Sequence, residues 1–158
     1  MKSKVVVAGI TLAGFLLGAT AAAGQSLNPI RWIKKTPTAS EELTANKDEN
    51  KKLGAQLQAL LPARTSLHEA CLAFKTLTEC VTALHVSHNL KIKFGCLKWD
   101  LTAVQPSGNV TACKAPEGGK AMNLTKTIQM LKPDADAKAE AKAAEKRARE
   151  DIKDATNS

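Results

Sequence analysis

SLHEACLAFKTLTECVTALHVSHNLKIKFGCLKWDLTAVQPSGNVTAC, residues 66–113, holds every cysteine and every histidine of the chain together with its best helical periodicity. It opens on Ser66 with Glu69 three residues on, a pair in which each side chain satisfies a backbone N–H left open at a helix start. From there Leu67, Ala70, Cys71, Phe74, Leu77, Val81, Leu84 and His88 recur at three- and four-residue steps, which makes one apolar stripe on a helix. That spacing predicts a single continuous helix. Beyond it, Leu90, Ile92 and Phe94 alternate as in a strand, whereas Phe94, Leu97 and Leu101 step as in a helix. We read a turn over Ser87–Lys93 followed by a short helix, giving an antiparallel helical hairpin.

The cysteines favour the hairpin. Cys71 and Cys80 are nine residues apart, which on an unbroken helix is about 13 Å along the axis. Disulfide Cα atoms lie within about 7 Å, so this pair bonds only if the helix breaks. In a hairpin centred on residue 88, Cys80 and Cys96 fall opposite one another, and Cys71 is left for Cys113. The expected bridges are therefore Cys80–Cys96 and Cys71–Cys113.

Ahead of this stretch, Lys2 and Lys4 precede an apolar run from Val5 to Leu17 and the small residues Ala21, Ala22 and Ala23. This is the pattern of a secretory signal cleaved after Ala23. As an uncleaved anchor, Val5–Ala23 offers 19 residues, close to the about 20 that cross a bilayer. The Ala and Gly toward its end favour cleavage. Loss of residues 1–23 removes Lys2 and Lys4 and lowers the formal net charge from +8 to +6. Export makes an even set of four cysteines a disulfide framework, and neither a Cys-x-x-Cys redox motif nor zinc-ligand spacing competes with it.

Residues 24–37 read as a linker or strap. Within it Ile30, Trp32 and Ile33 beside Arg31, Lys34 and Lys35 also suit peripheral contact with a membrane surface. A domain of residues 38–132 follows. Thr38 and Glu41 form a second capping pair, Leu43, Asn46, Asn50, Leu53, Leu57 and Leu60 repeat at helical steps, and Pro62 ends the run. The expectation is one helix whose C-terminal half docks on the hairpin while its polar start projects. Asn50 would fix register in a coiled coil, for which there are too few heptads. Pro106-Ser107-Gly108-Asn109 and Pro116-Glu117-Gly118-Gly119 are turn chemistry, so Cys113 sits in a loop tied back by its bridge. Asn109-Val110-Thr111 and Asn123-Leu124-Thr125 match a glycosylation acceptor. The signal has bacterial character, and Asn123 is better read as the cap of a helix running to Lys132 with Leu124, Ile128 and Leu131 inward. Residues 133–158 turn to Ala, Lys, Glu and Asp, with Ile152 the one large apolar side chain. They predict a solvated polar helix or a disordered tail. An Ala face at Ala137, Ala141, Ala144 and Ala148 offers a partner helix little area.

Composition narrows the function. At 3% aromatic and without Tyr, the chain lacks stacking surfaces for single-stranded nucleic acid or carbohydrate. Between Leu90 and Lys132 seven Lys face Asp100 and Glu117, a net +5, whereas residues 133–158 carry a net −1. Such a basic core favours anionic lipid headgroups or acidic envelope polymers, and export argues against nucleic acid. His85-x-x-His88 places two imidazoles on one side of a helix, where a third ligand such as Asp100 would complete a divalent-metal site. His68 lies about 25 Å down a continuous helix and is out of reach. Catalysis has thinner support: no Gly-x-Ser-x-Gly occurs, Asp100 is the only carboxylate between Glu79 and Glu117, and nothing in the spacing of Ser87, His88 and Asp100 enforces a triad.

The run Ala83-Leu84-His85-Val86-Ser87-His88-Asn89-Leu90, followed by Phe94 and Leu97 and later by Leu124-Thr125-Lys126-Thr127-Ile128-Gln129-Met130-Leu131-Lys132-Pro133, resembles a group of small exported bacterial proteins of unknown function. The resemblance spans residues 66–133 and implies a helix over Phe94–Leu101. It implies no activity, cofactor or site residue, and it makes the disulfides an elaboration of the fold. Together these readings predict a small all-α, disulfide-stapled exported domain, periplasmic or secreted. Its expected role is that of a non-enzymatic binding or structural module with no cofactor, acting through a basic surface on an anionic envelope component or a protein partner. The alternative is a metal-binding protein using His85 and His88.

Overall fold

A computed structural model describes residues 36–106, 110, 111 and 113–157. The expected signal over residues 1–23, nearly all of the 24–37 linker with Trp32, and Asn109 of the first acceptor triplet lie outside the described residues. Among the described residues the fold is entirely helical: α1 Ala39–Ala45, α2 Lys47–Gln56, α3 Leu67–Cys71, α4 Leu77–Leu90, α5 Phe94–Thr102, α6 Leu124–Leu131 and α7 Ala137–Asn157. All seven fall in one compact unit, and no described helix is long and apolar enough to cross a membrane.

Capping chemistry sets the helix starts where the sequence placed it. Thr38 and Ser66 accept from the backbone amides of Glu41 and Glu69, whose carboxylates reach back, and Asn123 accepts from the Lys126 amide. The Ser66 amide and hydroxyl both donate to Glu69, which holds that carboxyl below its ordinary range.

Two expected helices are broken. The run from Thr38 bends at Asn46 (φ −112°, ψ 68°), where the Asn46 amide still donates to the Glu42 carbonyl, and Asn50 Nδ2 donates across the break to the carbonyls of Glu42 and Leu43. Asn50 therefore serves the kink and not a coiled-coil register. The helical start does not project either, because Ala39 and Leu43 are buried and α1 packs on α3 and α4.

The second break decides the disulfides. Helix α3 stops at Cys71, Ala73 takes a left-handed φ of 75°, and Thr76 starts α4 afresh by accepting from the Glu79 amide. Folding the chain back over Leu72–Thr76 brings Cys71 and Cys80 to a Cα separation of 5.2 Å, and they are bonded. Cys96 pairs with Cys113 at a Cα separation of 5.1 Å. Both distances suit a disulfide. The expected pairs Cys80–Cys96 and Cys71–Cys113 are thus corrected, because they assumed an unbroken helix through residues 72–76. Bonds of this kind persist in an oxidising environment outside the cytosol.

The hairpin itself forms. Lys91 ends α4 in the left-handed region (φ 55°), and α5 begins three residues later. The helix that periodicity and resemblance implied over Phe94–Leu101 is present, and its first ring stands 6.3 Å from Phe74. Between α5 and α6 the chain is a loop carrying Cys113, with Gly118 and Gly119 at positive φ, which a residue without Cβ adopts at little cost.

The expectation for residues 133–158 is half met. They are helical, but α7 is not a solvated tail: Ala137, Ala144, Ala148 and Ala155 are buried, and the α4–α7 contact is the most extensive in the fold. The partner for the Ala face is the chain's own α4, with α2 and α6 at its flanks.

Tryptic peptides of the unreduced protein should therefore appear as residues 65–75 joined to 76–91, and 94–98 joined to 99–114. Linkage of 76–91 to 94–98 would restore the pairing expected from an unbroken helix. Removing either bridge by paired Cys→Ser substitution should cost about 2.5–3 kcal/mol in denaturant unfolding, from the loop lengths closed.

Candidate functional site

Three groups of side chains carry chemistry: the histidines with their partners, a buried carboxyl on α5, and an open cleft beside the start of α4.

Each histidine follows from its helix position. His68, exposed on α3, shares a 3.0 Å hydrogen bond with Ser40 Oγ on α1. His85 is 8% exposed on the α7 side of α4, and its Nε2 donates to Asp151 Oδ2 at 2.7 Å. His88, one turn further along, is exposed. The structure thus brings a carboxylate to His85, but it is Asp151 of α7 and not Asp100. Among the described residues no three His, Cys, Asp or Glu side chains gather as a metal-holding group. Ser87 Oγ donates to the Ile92 carbonyl at 2.8 Å and closes the hairpin turn, so Ser87, His88 and Asp100 are not joined as a triad.

Asp100 is 0% exposed, and neither of its carboxyl oxygens has a hydrogen-bond partner. Its main chain is engaged, since the Asp100 carbonyl accepts from the Met122 amide at 2.8 Å and so ties α5 to the segment entering α6. Burial without a partner penalises the charged form and pushes the carboxyl up to about 6. On the same helix Lys98 is half-buried, reaches the Glu69 carbonyl at 3.0 Å, and is pushed down by burial.

The cleft has a volume of about 960 Å³, within the range of about 300–1,000 Å³ typical of ligand pockets. Its walls come from the Ala73–Thr76 turn, the first turns of α4, the end of α5, the Ala121–Leu124 segment, and Glu42, Glu145 and Arg149 from α1 and α7. No single stretch of sequence contains it. The one local signal for its position is Thr76 standing three residues before Glu79, the same capping pattern as at Ser66.

No protein-family model matches the chain, and neither a curated protein nor a solved structure matches it.

The Asp100 environment sets a pH dependence whose sign is fixed. Folding raises this carboxyl above its unfolded value near 3.8, so the folded state holds a proton that the unfolded chain releases. Stability then falls as pH rises from about 4 and levels off above about 6, a loss of about 3 kcal/mol. Asp100→Asn should leave stability near pH 4 little changed and raise it by about that amount at pH 7.5, measured as urea midpoints across pH. An unchanged difference between the two proteins at all pH values would refute the assignment. At the α4–α7 contact, Asp151→Asn weakens a charge-assisted hydrogen bond and should cost about 1.5–3 kcal/mol. Amide exchange should then speed up in α7 before it does in α5.

Proposed function

We propose that this chain is an exported, non-enzymatic binding module, freed by cleavage after Ala23, whose basic surface engages an anionic component of the cell envelope. The observation that carries this reading is the state of its lysines. Lys91, Lys93, Lys114, Lys120 and Lys126 are exposed, and none forms an ion pair among the described residues. Helix α7, by contrast, pairs Lys146 with Glu150 and Arg149 with Glu145 within itself. Unneutralised cations on one side of the charge balance raise the local concentration of anions and steer them inward. A shallow groove between α6 and α7 adds Lys138 and Lys142 beside Lys126, at the end of α6 where the helix dipole is positive.

The absence of enzymatic activity is supported by how the reactive side chains are used. All four cysteines are in bridges, His68 and His85 join helices, and Ser87 closes the hairpin turn. Export is supported by the two disulfides and by the sequence of the N-terminus.

Vesicle co-sedimentation checks the reading. The protein should bind vesicles containing phosphatidylglycerol, release as salt rises, and ignore vesicles of phosphatidylcholine. Each Lys→Gln change among Lys91, Lys93, Lys120 and Lys126 should weaken binding about fivefold, from about 1 kcal/mol per surface charge. Salt-insensitive binding, or equal binding to neutral vesicles, would contradict it.

A further inference from the structure

We propose that the cleft beside the start of α4 is a docking site for an extended polypeptide segment of a partner, one that carries an apolar side chain next to Lys or Arg. The proposal goes beyond the basic surface, because the cleft's charge has the opposite sign.

Three features converge. The apolar part of the lining comes from Phe74, Leu101, Met122 and Leu124, of which only Phe74 is fully covered by the protein's own atoms. An apolar side chain of a partner would remove the remaining exposed area from water.

The charges in the lining then select its neighbour. Arg149 is bound to Glu145 at 2.5 Å, so that pair cancels. What remains is Glu42 and Glu79 against Lys75, and none of these three forms an ion pair among the described residues. On a chain of net charge +8, this is a spot where carboxylates outnumber cations and a basic side chain is favoured.

The third feature is the supply of donors. Several hydroxyls in the lining are already engaged, Thr76 by the Glu79 amide, Thr82 by the Thr78 carbonyl and Thr102 by the Lys98 carbonyl. Among the described residues the Thr78 hydroxyl, the Asn123 Nδ2 and the Lys75 ammonium have no hydrogen-bond partner, and they can donate to main-chain carbonyls of an extended segment. Acceptors for a cation, donors for carbonyls and an apolar floor together match a peptide better than they match a small inorganic ion or a lipid chain.

The wall that carries Phe74 and Lys75 is preformed. It is the turn closed by Cys71–Cys80, with Ala73 held at φ 75° and Leu72 43% exposed at its edge. A turn pinned at both ends loses little further freedom when a ligand binds.

The test is titration of the oxidised, full-length protein with a fluorescein-labelled octapeptide of alternating leucine and lysine, beside its leucine–glutamate counterpart, followed by anisotropy and amide NMR. The lysine peptide should bind, with shifts confined to Phe74–Glu79, Thr102 and Asn123. E42K/E79K should weaken it at least tenfold, and K75E, which cannot gain affinity through misfolding, should strengthen it severalfold. No binding, equal binding of the glutamate peptide, shifts centred on the exposed face of α7, or insensitivity to all three substitutions would overturn the proposal.

Discussion

The middle of helix α4 is buried on every side, and that constraint organises the molecule. From Cys80 to Val86 seven consecutive residues are buried. An amphipathic helix needs one cover, but a helix enclosed all round needs a neighbour on each face. The chain supplies them: α1 and the Cys71 bridge on one side, α5 through the hairpin on another, and α7 along most of its length. With few large apolar residues outside this region, the last face falls to alanines. Ala144 and Ala148 are 1% and 0% exposed. Their small side chains bury little area each, but they let the α7 backbone approach closely, so dispersion contacts with α4 are made along the whole interface. The His85–Asp151 hydrogen bond adds direction to that non-directional packing.

What was legible in the sequence was whatever is settled within one turn of helix. The caps at Thr38, Ser66 and Asn123 depend on a hydroxyl or amide and a backbone amide three residues away, and all three form. Ile128, flanked by Leu124 and Leu131, faces inward as its spacing requires. The breaks were harder. Residues Leu72–Lys75 contain neither Gly nor Pro, and Ala73 adopts a left-handed conformation that its side chain does not favour. Tertiary closure by Cys71–Cys80 overrides that preference, and only Thr76 before Glu79 announced it locally. A continuous helix through this stretch would keep Cys71 and Cys80 apart, and the break is what allows them to pair.

Long-range partners were out of reach for a different reason. His85 and His88 were legible as a helical pair, but the group that engages His85 lies 66 residues along the chain, on a helix whose composition suggested that it had nothing to bury. The alternation of buried Ala with charged residues in α7 means burial only once α4 is known to present an uncovered face. Val81-Thr82-Ala83-Leu84-His85-Val86 did carry that message, because a run without Asp, Glu, Lys or Arg presents no strongly polar side to turn to water. The cleft is still further from the sequence, being assembled from five separate segments.

The break at Leu72–Thr76 connects these observations. Had the helix run on, Phe74 and Lys75 would lie along its surface and α4 would have no free first turn. The break instead gives α4 a start capped by Thr76, turns Phe74 inward toward Phe94, and leaves Lys75 and Glu79 at the mouth of the cleft. Two consequences are tied to one covalent bond. Cys71–Cys80 holds the chain reversal against the preference of Ala73, and it fixes the position of the cleft wall relative to α5 and α6. Cys96–Cys113 does the same for the opposite wall, anchoring the loop that leads to Met122, whose amide meets the carbonyl of buried Asp100. The placement of both cleft walls and the pairing of the four cysteines are therefore one property of the fold.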